Sequence, residues 1–319
     1  MGTLFRTEVK IPQSEWKIGY QNRMMAFGSC FAENIGEKLQ NAYFKINTNP
    51  FGVLFNPLSV SQNVDYLLNN KTFDENDIFN HGSLWHSFNH SSKFSAVSPH
   101  DTLQNINEKL QQARNDFQCA DTLIFTFGTA WIFNNIETGQ TVANCHKLPS
   151  EYFTRKRLSV AEIAENYIAL LEKITAKNLK TKFIFTVSPV RHFKDGAIEN
   201  NLSKSTLLLA IDEIVKHCKE AIYFPAYEIV NDELRDYRFY ASDMLHPSDT
   251  AINYIWQRFS ETFFTEETNN LRQRLEQFFA AKSHRPLHSD TPEYHKFLES
   301  VEKSKTQLIS EFPFLQERM

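Results

Sequence analysis

The sequence predicts a three-layer α/β/α fold, a doubly wound parallel sheet between two layers of helices, with a helical extension at the C-terminus. Two observations carry this expectation. Short β-rich runs alternate with helical patterns along most of the chain, as in sheets whose parallel strands are joined by helices. The runs TLIFTFG (122–128) and KFIFTVSPV (182–190) are apolar almost without interruption, the pattern of strands buried on both faces.

The elements follow in order. RMMAFG (23–28) reads as the first strand, and CFAENIGEKLQ then places Phe31, Ile35 and Leu39 on one helical stripe. FKINT (44–48) is the second strand, and the turn-rich NPFGVLFNP leads into a helix from about Leu58 to Asn69. Residues 70–100 mix Asn, Ser, His and aromatics at no clear period and read as an insertion that leaves the sheet and could line a site. A helix from about Thr102 to Phe117, with Leu103, Ile106, Leu110 and Ala113 on one face, precedes a central strand at 122–128. Ser159 and Glu162 are spaced as a capping box and open the next helix. Then come the strand at 182–190, a helix near 203–218, a strand in AIYFPA (221–226) and a helix from about Thr250 to Phe264. Beyond residue 265, LRQRLEQFFAAKSH and EYHKFLESVEKSKTQLISEF are two helical stretches split by RPLHSDTP. The expected organisation is one domain over 1–264 and a helical extension over 265–319, packed on the domain or used in self-association.

Composition narrows the function. With 319 residues, 41% of them apolar, the chain can bury one large core. Its 34 basic and 38 acidic side chains leave a net charge of -4, with no basic block to collect phosphates, so no nucleic-acid partner is expected. The 28 phenylalanines are scattered through runs far shorter than the roughly 18 residues a membrane span requires, so a soluble chain with no membrane partner is expected. The start, MGTLFRTEVKIPQSEW, has no secretory-signal pattern, and Arg6 stands where a myristoylation motif needs Ser or Thr. Cys30, Cys119, Cys145 and Cys218 show no CxxC pairing or regular spacing, which suggests neither a zinc site nor a disulfide framework. Reduced thiols in a cytoplasm are the expectation, with no metal and no cofactor.

Ligands of an open parallel sheet gather beyond the carboxyl ends of its strands. Four places qualify: Gly28-Ser29-Cys30, Gly128-Thr129, the SPVRH stretch at 188–192, and SDMLHPS (242–248) before the last helix of the domain. A glycine at a strand-to-helix turn lets the chain bend sharply, and the next side chains sit at a helix N-terminus, whose partial positive charge favours an anion. Either Ser29 or Cys30 can be the nucleophile there, the hydroxyl only with a base. Asp243, three residues before His246, can hold one imidazole nitrogen and leave the other to take a proton. Read alone, this DxxH is better explained by a turn-forming aspartate and a surface histidine.

Taken together, FGSCFAENIG, TFGTAWIF, SPVRH and YFPAYEIVNDELRDYRFYASDMLHPS resemble, in order and at domain-scale spacing over about residues 20–260, the GSCFA-domain family, itself similar to the SGNH (GDSL-like) hydrolases. The resemblance implies a flavodoxin-like strand order and acyl-ester chemistry. It matches Asp243 and His246 to the orienting acid and general base. By register it lays the nucleophile on Cys30 and the preceding acid position on Ser29. Gly52 is the counterpart, by position, of the glycine whose N–H meets the oxyanion. Where the related hydrolases carry Gly-x-Asn-Asp, this chain has Gly128-Thr129-Ala130-Trp131, so the Asn donor is absent. Thr129, His146 or His192 is the expected substitute. The implied function is hydrolysis of an acyl ester on a carbohydrate or small molecule. The alternatives are O-acyl transfer to a glycan and a catalytically silent ligand-binding member of the fold.

Other side chains carry two readings each. His86 and His90 can reach the site or a metal, but in a polar insertion they are more often hydrogen-bonded scaffolding. Arg191 and Lys204 can hold an anionic or sugar substrate, though lone basic residues more often pair with local carboxylates. Trp85 and Trp131 can stack on a sugar ring or fill the core.

Overall fold

The computed structural model describes residues 7–178, 180–288 and 290–319; Arg6, at the myristoylation position, lies outside them. Its centre is a parallel sheet of five strands: β1 (Arg23–Gly28), β2 (Lys45–Thr48), β3 (Thr122–Phe127), β4 (Lys182–Val187) and β5 (Ala221–Tyr223). They lie side by side in the order β2-β1-β3-β4-β5, the flavodoxin-like order. The register pairs Met24 with Thr122 and Gly28 with Thr126, then Thr122 with Lys182 and Phe127 with Val187. All six residues of β3 are buried, as its unbroken apolar run requires.

The pleat sorts the side chains between two cores. Met25, Phe27, Leu123, Phe125, Phe127, Phe183 and Phe185 face one layer. That layer comprises helices α2 (Pro57–Leu68), α3 (Pro99–Gln118), α4 (Val160–Lys177) and α5 (Gly196–His217). Stacked rings run across three strands, Phe27 to Phe125 at 5.9 Å and Phe125 to Phe185 at 5.1 Å. Met24, Ala26, Ile124 and Ile184 face the other layer, where α1 (Cys30–Asn41) and α6 (Asp249–Phe263) pack. Helix α1 buries the expected stripe of Phe31, Ile35 and Leu39.

Helices α7 (Glu266–Lys282) and α8 (Pro292–Glu311) add Leu271, Leu275, Phe278 and Leu308 to this second core. The Arg318 guanidinium then ties the C-terminal segment to the carbonyls of Tyr20 and Tyr43 at 2.8 and 3.0 Å. Of the two roles expected for these helices, packing on the domain is the one seen in the chain. Among the described residues, no helix is long and apolar enough to cross a membrane.

Two excursions leave the sheet. The first, within the expected 70–100 insertion, is a hairpin of Phe79–His81 with Leu84–His86, turned at Gly82. The second was not expected: Trp131–Asn135 pairs antiparallel with Thr141–Val142 and Phe153–Arg157, directly after β3. Helix α5 also begins at Gly196, seven residues before the expected 203, because its first two turns, GAIENNL, leave Ile198 and Leu202 exposed around Glu199, Asn200 and Asn201 and so show no amphipathic period.

His86 and His90 prove to be scaffolding. His86 Nδ1 pairs with the Ser95 hydroxyl at 2.7 Å and His90 Nδ1 with the Ser87 hydroxyl at 3.0 Å. Among the described residues, no cluster of His, Cys, Asp or Glu can hold a metal ion. Burial, reinforced by the neighbouring His146, pushes His90 down to about 3 from 6.5. The depressed value means the unfolded chain binds the proton first, so His90 contributes stability above pH 6.5 that is lost as the pH falls toward 3. We expect the unfolding free energy of His90→Gln to decline less steeply than that of the parent between those limits, by about 1 kcal/mol per pH unit, in urea titrations at successive pH values. Equal slopes would contradict the assignment.

Candidate active site

The site forms where the strand order reverses, between β1 and β3. Gly28 ends β1 at φ 134°, and a Cβ on it would lie 2.0 Å from the Thr126 carbonyl oxygen, so no other residue fits this turn. Its N–H donates to Asn49 Oδ1 at 2.9 Å, and the Ser29 N–H donates to the Thr126 carbonyl at 3.1 Å. Ser29 caps α1, its buried hydroxyl accepting the Phe31 N–H at 3.3 Å. Cys30 is therefore the first residue of α1, at the end where N–H groups lack intrahelical partners.

Burial pushes the Cys30 thiol up, and the Glu33 carboxylate adds to this; the N–H groups of Phe31 and Cys30 and the Lys204 ammonium oppose it. The thiol thus needs a base. Asp243 and His246 are joined as expected of an orienting acid and a base: Asp243 Oδ2 lies 2.6 Å from His246 Nδ1. Its Oδ1 accepts the N–H groups of Leu245 and His246 at 2.9 and 3.0 Å. The His246 and Leu245 N–H groups, then the His246 ring, hold the Asp243 carboxyl down to about 2. Among the described residues, no hydrogen bond joins the Cys30 sulfur to the His246 ring.

The expected oxyanion donors are placed differently. Gly52 sits beside the β1–α1 turn at φ 81°, where a Cβ would lie 1.9 Å from the Ser91 hydroxyl, and the next turn returns as the Leu54 N–H donates to the Gly28 carbonyl. Its own N–H is taken by the Asn49 carbonyl at 2.7 Å. The N–H groups of Gly128 and Thr129 both donate to the Phe55 carbonyl, at 2.8 and 2.9 Å. The Thr129 hydroxyl turns to Ser203 on α5. His146 lies in the loop of the second excursion, between Thr141–Val142 and Phe153–Arg157, and its ring nitrogens reach the first, meeting the Ser87 carbonyl at 2.8 Å and the Ser92 hydroxyl at 3.3 Å.

His192 is the exception. Its Nε2 is buried with no hydrogen-bond partner and lies 3.3 Å from the point a Gly128 Cβ would occupy, while Ser29 Cβ lies 3.4 Å from that point. Burial, then the Lys204 ammonium and more weakly His246, push His192 down to about 4 against an opposing Asp195. A neutral ring with one free nitrogen can donate to an oxyanion in the Nε2–H tautomer.

Lys204, which sequence reasoning treated as a lone basic residue, is almost wholly buried. Its Nζ donates to the carbonyls of Gly128 and Ser188 at 2.7 and 2.6 Å, joining the ends of β3 and β4. Burial, and the charge of Arg191, push it down to about 7, while the Cys30 thiolate pulls the other way. A signal was there to be read: Asn200, Lys204, Leu207, Ile211 and Ile214 form one helical stripe, and the structure buries it. Trp131 instead carries the Arg155 guanidinium 4.0 Å from its ring centroid.

Known proteins bear on this arrangement as follows. The chain is similar in structure to an acetyl xylan esterase from the rumen bacterium Butyrivibrio proteoclasticus, with 11% identity, a TM-score of 0.40 and coverage of 80% of this chain and 65% of that one. A family 3 carbohydrate esterase from Clostridium thermocellum is similar with 10% identity, a TM-score of 0.38 and coverage of 79% of this chain and 98% of that one. No curated protein matches by sequence. The profile of the GSCFA family matches residues 23–259, and the chain belongs to the GSCFA family.

The charges around Cys30 make its reactivity predictable. We expect iodoacetamide to label Cys30 more slowly near neutral pH than it labels the exposed Cys119, followed by peptide mass spectrometry. Glu33→Gln lowers the pH midpoint of Cys30 labelling, because it removes a carboxylate that disfavours the thiolate. A midpoint that stays or rises contradicts this account.

Proposed function

We propose that this GSCFA-family protein is an acyl-transfer enzyme of the SGNH type that hydrolyses an ester between an acyl group and a carbohydrate or related small molecule. The observation that carries the reading is the Asp243–His246 pair at 2.6 Å, which fixes one imidazole nitrogen and leaves Nε2 for a proton. The His246 ring is also close enough to influence His192, which lies against Gly128 and Ser29.

In this reading the Cys30 sulfur attacks the acyl carbonyl as its proton passes to His246 Nε2. The Cys30 N–H and His192 Nε2–H meet the oxyanion. Collapse expels the alkoxide, which takes the proton from His246 and leaves a thioester on Cys30. Water, deprotonated by His246, attacks the thioester, and the thiolate leaves and regains that proton. A positioned hydroxyl in place of water makes the same enzyme an O-acyltransferase. Catalytic hydrogen bonds in ligand-free sites are often long and tighten around substrate, which accommodates the separate Cys30 and His246 side chains. The chemistry needs a reduced thiol, and four unpaired cysteines fit the cytoplasmic setting proposed for it. A second reading, a ligand-binding member without turnover, is favoured by the commitment of the Gly52, Gly128 and Thr129 N–H groups to protein carbonyls.

Short-chain nitrophenyl esters test the proposal. Cys30→Ala and His246→Ala are each expected to lower kcat/KM by about a thousandfold or more, and His192→Ala by about a hundredfold. Ser29→Ala is expected to keep most of the activity while losing about 1 kcal/mol of stability as a cap. Turnover that persists without both Cys30 and His246 refutes the mechanism. Parent protein that turns over no ester or acyl acceptor favours the binding member.

A further inference from the structure

Arg191 and Lys204 are two cations without a carboxylate partner. Neither forms an ion pair among the described residues, although acidic side chains are near. Those acids are committed elsewhere: Asp195 to Arg155, Glu199 to Arg157 and Glu228 to the Tyr223 hydroxyl. The Arg191 guanidinium donates from one terminal nitrogen to Asn201 Oδ1 at 2.9 Å, and its Nε is buried with no partner. Lys204 spends two of its three ammonium hydrogens on the Gly128 and Ser188 carbonyls.

The Arg191 guanidinium meets α5 at Asn201, one turn before Lys204, and its charge disfavours the Lys204 ammonium, which the Cys30 thiolate favours. The Arg191 charge reaches the hydroxyls of Tyr227 and Tyr240, and Lys204 Nζ lies 5.8 Å from the Tyr227 ring centroid. The backbone holds this group to the catalytic loop, since the Arg191 N–H approaches the Leu245 carbonyl at 3.5 Å, next to His246. Like charges at α5 beside Cys30, with a buried guanidinium N–H left over, are stabilised by an anion between them.

We propose that Arg191 and Lys204, beside the Tyr227 ring, form a subsite for an anionic group, a carboxylate or phosphate carried by the substrate. The inference rests on the acyl-transfer reading for its placement beside Cys30, but binding itself does not require turnover. The substrate is then an acyl ester with a negative charge near the scissile bond, such as a half-ester of a dicarboxylic acid or an acylated acidic sugar. Guanidinium recognition is bidentate and planar, so lysine at position 191 does not replace it.

The full chain is titrated with inorganic phosphate and with succinate by calorimetry at constant ionic strength. Both are expected to bind, and Arg191→Gln, on a partly exposed side chain, to weaken binding about tenfold, with Arg191→Lys intermediate. Lys204→Met gives a second reading if it folds. In parallel, nitrophenyl acetate is compared with the nitrophenyl half-ester of succinate, whose KM is expected to be about tenfold lower in the parent and to lose that advantage in Arg191→Gln. Absence of anion binding by the parent, or binding unchanged in Arg191→Gln, overturns the subsite. Anion binding lost in Arg191→Gln without any ester turnover upholds the subsite while the catalytic reading fails. Turnover of both esters with equal KM and no anion binding does the reverse.

Discussion

Everything at this site depends on how closely the β1–α1 turn approaches β3. Gly28 brings its backbone so near the Thr126 carbonyl that only hydrogen fits at the Cα, and the Ser29 N–H then bonds to that same carbonyl. This contact starts α1 at Cys30 beside the end of β3 rather than a turn later. It also sets what surrounds the thiol. Asn49 holds the Gly28 N–H through its side chain and the Gly52 N–H through its carbonyl, so the loop after β2 is fastened to the β1–α1 turn.

The second constraint is electrostatic. Burial holds Lys204 down to about 7, so in the folded chain its neutral form is favoured from there upward, whereas the unfolded chain keeps the charge up to 10.5. Burying it therefore costs nothing above 10.5 and progressively more as the pH falls toward 7, reaching about 5 kcal/mol for the charged form. Two strand-end carbonyls offset part of that cost, and no carboxylate offsets the rest. A fold needs no such residue to pack α5 on the sheet, where Leu207, Ile211 and Ile214 suffice. The Lys204 ammonium and the Cys30 thiolate instead favour one another's charged forms.

The departure from the Gly-x-Asn-Asp pattern has a structural counterpart. Without an Asn side chain after Gly128, Ala130 goes into the core and the chain runs directly into a three-stranded antiparallel sheet. The N–H groups that precede it are satisfied by Phe55, which closes the gap between the β2 and β3 loops. His192 edges against the Phe55 ring at 5.7 Å and presents Nε2 toward the space beside Gly128. A ring from the next strand's loop thus stands where an amide donor would be useful.

Periodicity and apolar runs sufficed to predict the five strands, α1 to α4 and the helical C-terminus, because burial on both faces or on one stripe leaves a local signature. The DxxH spacing likewise foretold the Asp243–His246 pairing, since a turn of that length brings the two side chains together by itself. The antiparallel sheet after β3 has no such signature, because its strands WIFNN, TV and FTRKR are short and show no apolar alternation. Which N–H groups remain open, where His146 and Thr129 turn, and that Lys204 and Arg191 lack acidic partners were decided by tertiary structure alone. Each of these depends on atoms tens to hundreds of residues apart competing for one another, and no local pattern records the outcome of that competition.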